Sequence, residues 1–239
     1  MSKEINILQL YPRDMNIYGD WGNILTLIRR LELHGYEPKL TDYNPGEQFP
    51  DKVDLVVGGG GQDSGQNIIQ NDLLGIADKI HRLVEQNTPM LLICGLYQLF
   101  GHRFITDQGQ EILGISVFDL ETQAGSKRLV GNVIAESDRF GTIVGYENHS
   151  GRTKLGNKTE PLATVRLGAG NNGQDQTEGA IYKNAIGSYL HGSLLPKNPA
   201  IADFLIEQAV INRYGEFHPR PIDDTLIERV RQITLTRPR

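Results

Sequence analysis

The feature that most constrains the fold is an alternation of short apolar runs with amphipathic segments in the N-terminal half. Four runs are typical of strands: INILQLY (5–11), PKLTDY (38–43), DLVVGG (54–59) and MLLICG (90–95). The last two are apolar enough to be buried on both faces, as strands of a parallel sheet are. Residues 19–34 and 66–86 place apolar side chains at helical spacing between these runs. This β-α-β-α-β order predicts an α/β fold with a mostly parallel central sheet and flanking helices.

Each helical segment has an apolar stripe that we expect to face the sheet. The first helix is predicted to end before Gly35, a residue that commonly stops helices. Its stripe is Trp21, Ile24, Leu25, Ile28 and Leu31. The stripe of the second helix is Ile69, Leu73, Ile76, Ile80, Leu83 and Val84.

The second half of the chain is richer in strand patterns. The segments GISVFDLETQ, RLVGNVIAES, GTIVGYENHS, ATVRLG and AIYKNAIGSYLHGS are separated by turn residues. They predict a continuation of the sheet and an added antiparallel β layer. Residues 168–179 are predicted to form a polar loop, and helices are predicted at about 199–213 and 223–233. Without a repeat or a linker, residues 1–239 form one predicted domain, whose last six residues are expected to be frayed.

Composition excludes several classes of protein. Hydrophobic residues make up 38% of the chain and charged residues 22%, values of an ordinary soluble globule. The net charge of −5 argues against a nucleic-acid-binding protein, which usually has a basic face. There is no apolar run of about 18 residues to cross a membrane. The N-terminus lacks the pattern of a signal peptide, so we expect an intracellular chain.

The only cysteine, Cys94, is the first candidate for chemistry. A single cysteine forms no internal disulfide and no cysteine zinc site, which leaves a buried apolar residue or a reactive thiol. Cys94 closes the strand PMLLIC and is followed by Gly95 and a segment that can form a helix. This is the pattern of a nucleophile elbow, in which a helix N-terminus favours the thiolate. A simple end to a core strand would give the same local sequence.

The glycine run GGGGQD (58–63) follows another predicted strand. It lacks the lysine or the GxGxxG spacing that phosphate-binding loops need. Its amides are suited to an oxyanion that forms when Cys94 attacks a carbonyl, and a flexible turn is the alternative. Among six histidines, His191 is the preferred base, because it ends the apolar run IGSYL and can reach the same sheet edge. His149, in YENHSGRT, is the second choice.

Several motifs together resemble the class I glutamine amidotransferases. They are LYPRDMNIYGDWGN, VVGGGGQD, ICGLYQLFG, KRLVGNVIAESDRFGTIVGYENHSGRT and KNAIGSYLHGSLLPKNP. The motifs occur in the family's order, and the similarity extends over nearly the whole chain. The resemblance is to the branch related to the glutaminase domain of cobyric acid synthase. Within that branch, the chain is similar to the glutaminase subunits of lipid II isoglutaminyl synthases.

The resemblance implies a role for each matching residue. Cys94 would form a γ-glutamyl thioester with glutamine, and His191 would deprotonate the thiol and protonate ammonia. Gly59, Gly60 and Gly95 match the oxyanion loop. The residues that match substrate-binding positions are Gln98, Arg128, Asn148, His149 and Ser150. The two parallel N–H donors of an arginine guanidinium suit a carboxylate. Without the resemblance, the sequence around Arg128 would favour a solvent-exposed residue of a strand.

One departure from the family pattern concerns the third member of the triad. Many class I enzymes have a glutamate two residues after the histidine, where this chain has Ser193. The carboxylate that orients the imidazole therefore comes from elsewhere in the chain or from a partner, or the enzyme works as a dyad. The partner is the preferred hypothesis. Asp20 and Glu147 are the candidates within the chain.

The resemblance also implies a partner. No ATP-binding motif is present, so no cofactor is expected in this chain, and ATP and Mg²⁺ are expected in a Mur ligase-like synthetase subunit (MurT). The heterodimer would convert D-glutamate of the lipid II stem peptide to D-isoglutamine at the inner face of the cytoplasmic membrane. The alternatives are a glutaminase for another amidation, such as that of a corrinoid, a non-catalytic scaffold and a peptide hydrolase.

Overall fold

A computed structural model describes residues 3–191 and 193–237, which contain thirteen strands and six α-helices. The helices are α1 (Trp21–His34), α2 (Asp63–Gly75), α3 (Ala77–Glu85), α4 (Gly95–Leu99), α5 (Pro199–Tyr214) and α6 (Thr225–Leu235). The strands are β1 (Glu4–Leu10), β2 (Glu37–Tyr43), β3 (Leu55–Gly58), β4 (Met90–Ile93), β5 (Arg103–Ile105), β6 (Glu111–Leu113), β7 (Leu120–Ser137), β8 (Gly141–Leu155), β9 (Ala163–Leu167), β10 (Thr177–Glu178), β11 (Ala180–Tyr182), β12 (Ala185–Ser188) and β13 (Leu190–His191).

The central sheet has six strands in the order β11-β12-β4-β3-β1-β2. All neighbours are parallel except β11, which pairs antiparallel with β12. Strands β3 and β4 are buried along their whole length, as their continuous apolar sequences predict. The prediction of a mostly parallel central sheet is therefore confirmed.

A second sheet is mainly antiparallel and supplies the added β layer. Its long ladder joins β7 and β8, and β5, β6, β9, β10 and β13 extend it. The last four residues of GISVFDLETQ and all of RLVGNVIAES, which were predicted as separate strands, lie in the single strand β7. The register of β7 against β8 shifts between Ala124 and Leu129, so the glycine and polar residues there form an irregularity within the strand.

Three predictions about helices need correction. The buried face of α1 carries Ile24, Leu27 and Leu31, whereas the predicted stripe residues Trp21 and Leu25 are exposed. The helix predicted over 66–86 is divided into α2 and α3, because Ile76 between them has a non-helical ψ of 3°. Helix α6 reaches Leu235, so the first two of the six residues expected to be frayed are helical, and 238–239 lie outside the described residues.

The carboxyl ends of four parallel strands meet at one edge of the central sheet. Strand β4 lies between β3 and β12, so the residues that follow these three strands are brought together. They are the glycine run after β3, Cys94 after β4, and His191, which lies three residues beyond β12. The loop that follows β1 ends with Asp20. This edge is where ligands bind in open α/β sheets.

Candidate active site

Cys94 occupies a strained elbow between β4 and α4. Its φ of 50° and ψ of −101° are unfavourable for a residue with a side chain. The turn is fixed on both sides, because Cys94 N donates to Ser188 O at 2.8 Å and Gln98 N donates to Cys94 O at 2.9 Å. The sequence prediction of an elbow is confirmed in this geometry. The side chain of Cys94 is buried but lines a pocket that opens to solvent.

His191 and Asp20 form a buried pair beside Cys94. His191 Nδ1 lies 3.3 Å from Asp20 Oδ1. The other carboxylate oxygen, Asp20 Oδ2, accepts the Gly60 N–H at 2.7 Å. Asp20 therefore stands in the position of the third triad member, which the sequence analysis assigned preferentially to a partner. A carboxylate of this chain, one of the two candidates named from the sequence, therefore lies next to His191.

Charge interactions change the protonation of His191. Burial alone would lower its pKa, but the Cys94 sulfur and the Asp20 carboxylate together raise the pKa of His191 to about 10. His191 Nε2 has no hydrogen-bond partner in the described part of the chain, so this nitrogen remains for proton exchange. The edge of the Tyr18 ring also contacts the imidazole, with ring centroids 5.0 Å apart. A protonated imidazole beside a sulfur is the arrangement that stabilises a thiolate.

Ser193 holds the loop that carries Asp20. This residue occupies the position where many relatives of the resembled family have a glutamate. Its hydroxyl donates to Gly19 O at 2.5 Å, one residue before Asp20. A side chain on Gly22 would collide with Ser193, since a Cβ there would lie 2.0 Å from Ser193 Oγ. Ser193 thus positions the carboxylate through the backbone and does not supply one.

The glycine run packs directly against the catalytic candidates. A Cβ on Gly60 would lie 2.5 Å from His191 Cε1 and 3.1 Å from Cys94 Cβ. The Gly60 amide is bonded to Asp20, so it is not available for the oxyanion role that the sequence suggested. A Cβ on Gly95 would lie 3.1 Å from Gly61 N, which brings the Gly61 and Gly95 amides close together. Gly59 instead approaches Met15 O and Asp20.

Glu147, the other carboxylate considered from the sequence, lies beside His149. It is fully buried and accepts hydrogen bonds from Ala169 N and Gly170 N at 2.9 and 2.8 Å. Its Oε2 lies 3.8 Å from His149 Nε2. The His149 ring stacks on Tyr189 with centroids 3.6 Å apart, and burial lowers the pKa of His149. Glu147 thus holds the turn at Ala169 and Gly170, and the stacked His149 ring lies at the pocket wall.

The pocket at Cys94 contains all five residues predicted to bind substrate, namely Gln98, Arg128, Asn148, His149 and Ser150. Arg128 is oriented by Asn148, since its Nε donates to Asn148 Oδ1 at 2.9 Å and its Nη2 to Asn148 O at 2.8 Å. Gln98 is buried, and its amide bonds Gln66 and Tyr189 at 2.6 and 3.1 Å. The structure therefore gathers these residues around one cavity.

Several residues that line the pocket were given no role in the sequence analysis, and two of them lie on one helix. Asp63 and Gln66 lie on the first turns of α2, directly after the glycine run. Their spacing of three residues places them on one helix face. The sequence prediction started this helix at 66, whereas α2 begins at Asp63. The predicted helix therefore did not include Asp63, and the shared face of the two residues was not visible.

Neither a metal-binding cluster nor a membrane-spanning helix is present in the described residues. Within residues 3–191 and 193–237, no group of three or more His, Cys, Asp or Glu side chains is arranged to hold a metal ion. None of the helices in these ranges has both the length and the apolarity needed to cross a bilayer. The arrangement at Cys94 brings together a thiol, a histidine in contact with a carboxylate, and a pocket lined largely by polar residues.

Comparisons with known proteins agree with this geometry. Residues 6–199 match the family described as the CobB/CobQ-like glutamine amidotransferase domain. The chain is 37% identical over 235 residues to the GatD subunit of the glutamine-hydrolysing lipid II isoglutaminyl synthase of Staphylococcus aureus, covering 98% of this chain and 96% of that one. The GatD subunit of Streptococcus pneumoniae is 36% identical over 216 residues, with 89% and 83% covered.

More distant proteins share parts of the sequence or the fold. A probable cobyric acid synthase of Methanothermobacter thermautotrophicus is 32% identical over 156 residues, which are 59% of this chain and 31% of that protein. The PurLQS structure of Thermotoga maritima gives a TM-score of 0.59 at 16% identity, covering 89% of this chain and 99% of that one. A glutamine amidotransferase of the same organism gives 0.55 at 14% identity, with 96% and 93% covered.

Proposed function

Because the chain belongs to the CobB/CobQ-like glutamine amidotransferase family, we propose that it is the glutaminase subunit of a two-chain amidating enzyme. It hydrolyses L-glutamine to glutamate and ammonia through a γ-glutamyl thioester on Cys94. A Mur ligase-like synthetase subunit receives the ammonia and amidates the D-glutamate α-carboxyl group of the lipid II stem peptide. The observation that carries the proposal is the buried His191–Asp20 pair beside a cysteine in a nucleophile elbow.

The chemistry begins with a proton transfer at Cys94. His191 takes the thiol proton, and the sulfur attacks the carboxamide carbon of glutamine to form a tetrahedral intermediate. When that intermediate collapses, the C–N bond breaks and His191 returns the proton to the leaving nitrogen, so ammonia leaves. Water activated by His191 then cleaves the thioester and releases glutamate. Asp20 keeps Nδ1 protonated, and it thereby orients Nε2 toward the reacting atoms.

The Gly61 and Gly95 amides are the proposed donors to the oxyanion. Gly95 is the first residue of α4, and the first N–H groups of a helix have no acceptor within that helix. Gly61 N lies nearby, because a Cβ built on Gly95 would be 3.1 Å from it. Gly60 has a different task, because its amide fixes Asp20. Losing one oxyanion donor typically costs ~10²–10³-fold in rate.

The pocket supports free glutamine as the substrate. Arg128 is the proposed partner of the substrate α-carboxylate, and the Asn148–Ser150 segment lies beside it. Lipid II would be reached through the synthetase subunit, at the inner face of the cytoplasmic membrane. ATP and Mg²⁺ are assigned to that subunit. A corrinoid amidation is supported less well, because the chain spans under a third of the matched cobyric acid synthase.

The proposal is tested by co-expressing the chain with a Mur ligase-like subunit and measuring glutamate release with and without it. We expect the complex to hydrolyse glutamine and to amidate a lipid II substrate, detected by mass spectrometry of the stem peptide. The Cys94→Ala complex should assemble and release no ammonia. Amidation of lipid II with free ammonium salts should survive in that variant. Glutamine hydrolysis that persists in Cys94→Ala would overturn the assignment of the nucleophile.

A further inference from the structure

Two opposite charges line the pocket without pairing with each other. Asp63 lies on the first turn of α2, and Arg128 lies on β7. The guanidinium of Arg128 bonds only Asn148 in the part of the chain that the structure describes, and it forms no ion pair there. The charge of Arg128 nevertheless reaches Asp63, because it acts to lower the pKa of that carboxyl group. A carboxylate and a guanidinium therefore line one cavity without an ion pair between them in the described residues.

The environment of Asp63 is unfavourable for its own charge. Burial and the neighbouring Asp107 raise the pKa of Asp63 above its ordinary value. Asp107 lines the same pocket, so two carboxyl groups lie close together in this part of the cavity wall. A cation bound beside Asp63 would relieve this repulsion. The free amino acid that the proposed function requires carries such a cation as its α-ammonium group.

Gln66, about one helical turn after Asp63 on α2, carries a hydrogen-bond acceptor that has no donor in the described residues. Its side chain is almost fully buried, Nε2 donates to Gln98 Oε1 at 2.6 Å, and Oε1 has no partner among the described residues. A Cβ on Gly95 would lie 2.9 Å from Gln66 Nε2, so Gln66 is adjacent to the nucleophile turn. A buried acceptor without a donor is unfavourable, and Gln66 is one of the residues that line the substrate pocket.

The spacing of the two residues matches the length of glutamine. Three residues along an α-helix correspond to a rise of about 4.5 Å, and residues so spaced share a face. In glutamine, two methylene groups separate the α-carbon from the carboxamide carbon, a span of similar size. The inner position, Gln66, is beside Cys94, where the carboxamide must lie. The outer position, Asp63, then falls beside the amino-acid end.

We propose that Asp63 binds the α-ammonium group of the substrate while Arg128 binds its α-carboxylate, and that Gln66 Oε1 accepts a carboxamide N–H. The inference rests on the proposed glutaminase function and adds the groups that select a zwitterionic amino-acid amide. Two residues on one face of α2 thus bind the two ends of the substrate, Asp63 at the α-ammonium group and Gln66 at the carboxamide. Amides that lack the α-ammonium group, and glutamine residues within peptides, are selected against at Asp63.

The test compares L-glutamine with glutaramic acid, which is the same molecule without the α-ammonium group. Kinetics are measured on the complex with the synthetase subunit, and kcat/KM is determined for each substrate. Wild type should prefer glutamine by on the order of 10- to 100-fold, the range expected for a hydrogen bond between charged groups. In Asp63→Asn, kcat/KM for glutamine should fall by a similar factor, mainly through KM, and that for glutaramic acid should stay within about threefold.

Asp78→Asn is the matched control, because Asp78 lies in the first turn of α3 as Asp63 lies in that of α2, but outside the pocket. It should leave both substrates unchanged. If Asp63→Asn retains the wild-type preference, or weakens both substrates equally, the inference is wrong although glutamine hydrolysis stands. If wild type hydrolyses neither substrate, the proposed function fails instead. Calorimetric binding of both compounds to the Cys94→Ser variants, with and without Asp63→Asn, gives the same comparison without turnover.

Discussion

His191 Nδ1 lies 3.3 Å from Asp20 Oδ1, and 171 positions of sequence separate the two residues. The same carboxylate accepts the Gly60 N–H, so one side chain ties the base to the glycine run. Both residues are buried, which strengthens the interaction because little solvent screens it. The contact fixes the imidazole orientation, with Nδ1 as the donor to the carboxylate. Nε2 then remains for the proposed proton transfer with Cys94 and the substrate.

Replacing Asp20 with asparagine should remove this support with little change in shape. The amide oxygen can still accept from Gly60 N, but it no longer stabilises a charged imidazole. We expect kcat to fall by roughly 10²- to 10⁴-fold, with KM nearly unchanged. Glutamate release by the complex measures the effect. A Cys94 alkylation rate measured on the same protein reports the loss of base function independently.

The control for that variant is Asp14→Asn, which changes a carboxylate of the same loop that does not line the pocket. It should retain wild-type activity. If Asp20→Asn stays within about threefold of wild type, the carboxylate that supports His191 comes from elsewhere. That result would favour the hypothesis that the synthetase subunit supplies the carboxylate.

The pH dependence of turnover should reflect the pKa of His191. Burial would lower this pKa, but Cys94 and Asp20 raise it to about 10. In the proposed mechanism the imidazolium protonates the leaving ammonia, so kcat should fall as pH rises through about 10. In Asp20→Asn, one of the raising charges is lost, and this alkaline limb should move down by about one unit or more. An identical limb in both proteins would show that another group controls it.

Much of the fold could be predicted because buried parallel strands have distinctive sequences. The apolar runs before Gly58 and Cys94 indicated both the strands and their ends. The break at Ile76 was not visible, since the apolar spacing continues from α2 into α3. The polar residues around Gly125 resembled a turn, but the cross-strand pairing with β8 carries β7 through them. Those outcomes depend on tertiary contacts.

The site was predictable only where local sequence carries the signal. Cys94 and His191 each follow an apolar strand, which marks them as edge residues. Asp20 precedes α1 and has the pattern of a helix cap, yet its side chain makes no cap hydrogen bond. Choosing between Asp20 and Glu147 required the packing of distant segments. The division of labour among Gly59, Gly60 and Gly61 likewise depends on which amide Asp20 occupies.

Adding a methyl group at Gly60 should disable the site by displacement. The new Cβ would lie 2.5 Å from His191 Cε1 and 3.1 Å from Cys94 Cβ, so it would push against both residues. Misplacing a catalytic group by about 1 Å can cost on the order of 10²-fold in rate, so we expect Gly60→Ala to lose at least that much kcat. Gly75→Ala is the control, because nothing lies within 4 Å of a Cβ there. Full activity in Gly60→Ala would contradict this packing.

Glu178 should make the stability of the protein depend on pH. It is fully buried, and its carboxylate accepts hydrogen bonds from Ser188 Oγ and Tyr189 N at 2.7 and 3.0 Å. Burial raises the pKa of Glu178 from 4.5 to about 7, although these donors oppose the change. Between those pH values the folded protein keeps a proton that the unfolded chain has lost. The free energy of unfolding should therefore fall as pH rises from 4.5 to about 7, and change little from this group above it.

Glu178→Gln removes that titration and retains an oxygen acceptor for Ser188 and Tyr189. The decrease in unfolding free energy between pH 5 and pH 8 should become smaller by on the order of 2–3 kcal/mol, at about 1.4 kcal/mol per pKa unit. Denaturant unfolding at several pH values measures the difference. Glu207→Gln, an exposed change on α5, should keep the wild-type dependence. Because Ser188 O accepts the Cys94 N–H, Glu178 supports the nucleophile turn from behind, and an unchanged pH dependence in Glu178→Gln would assign that titration to another buried group.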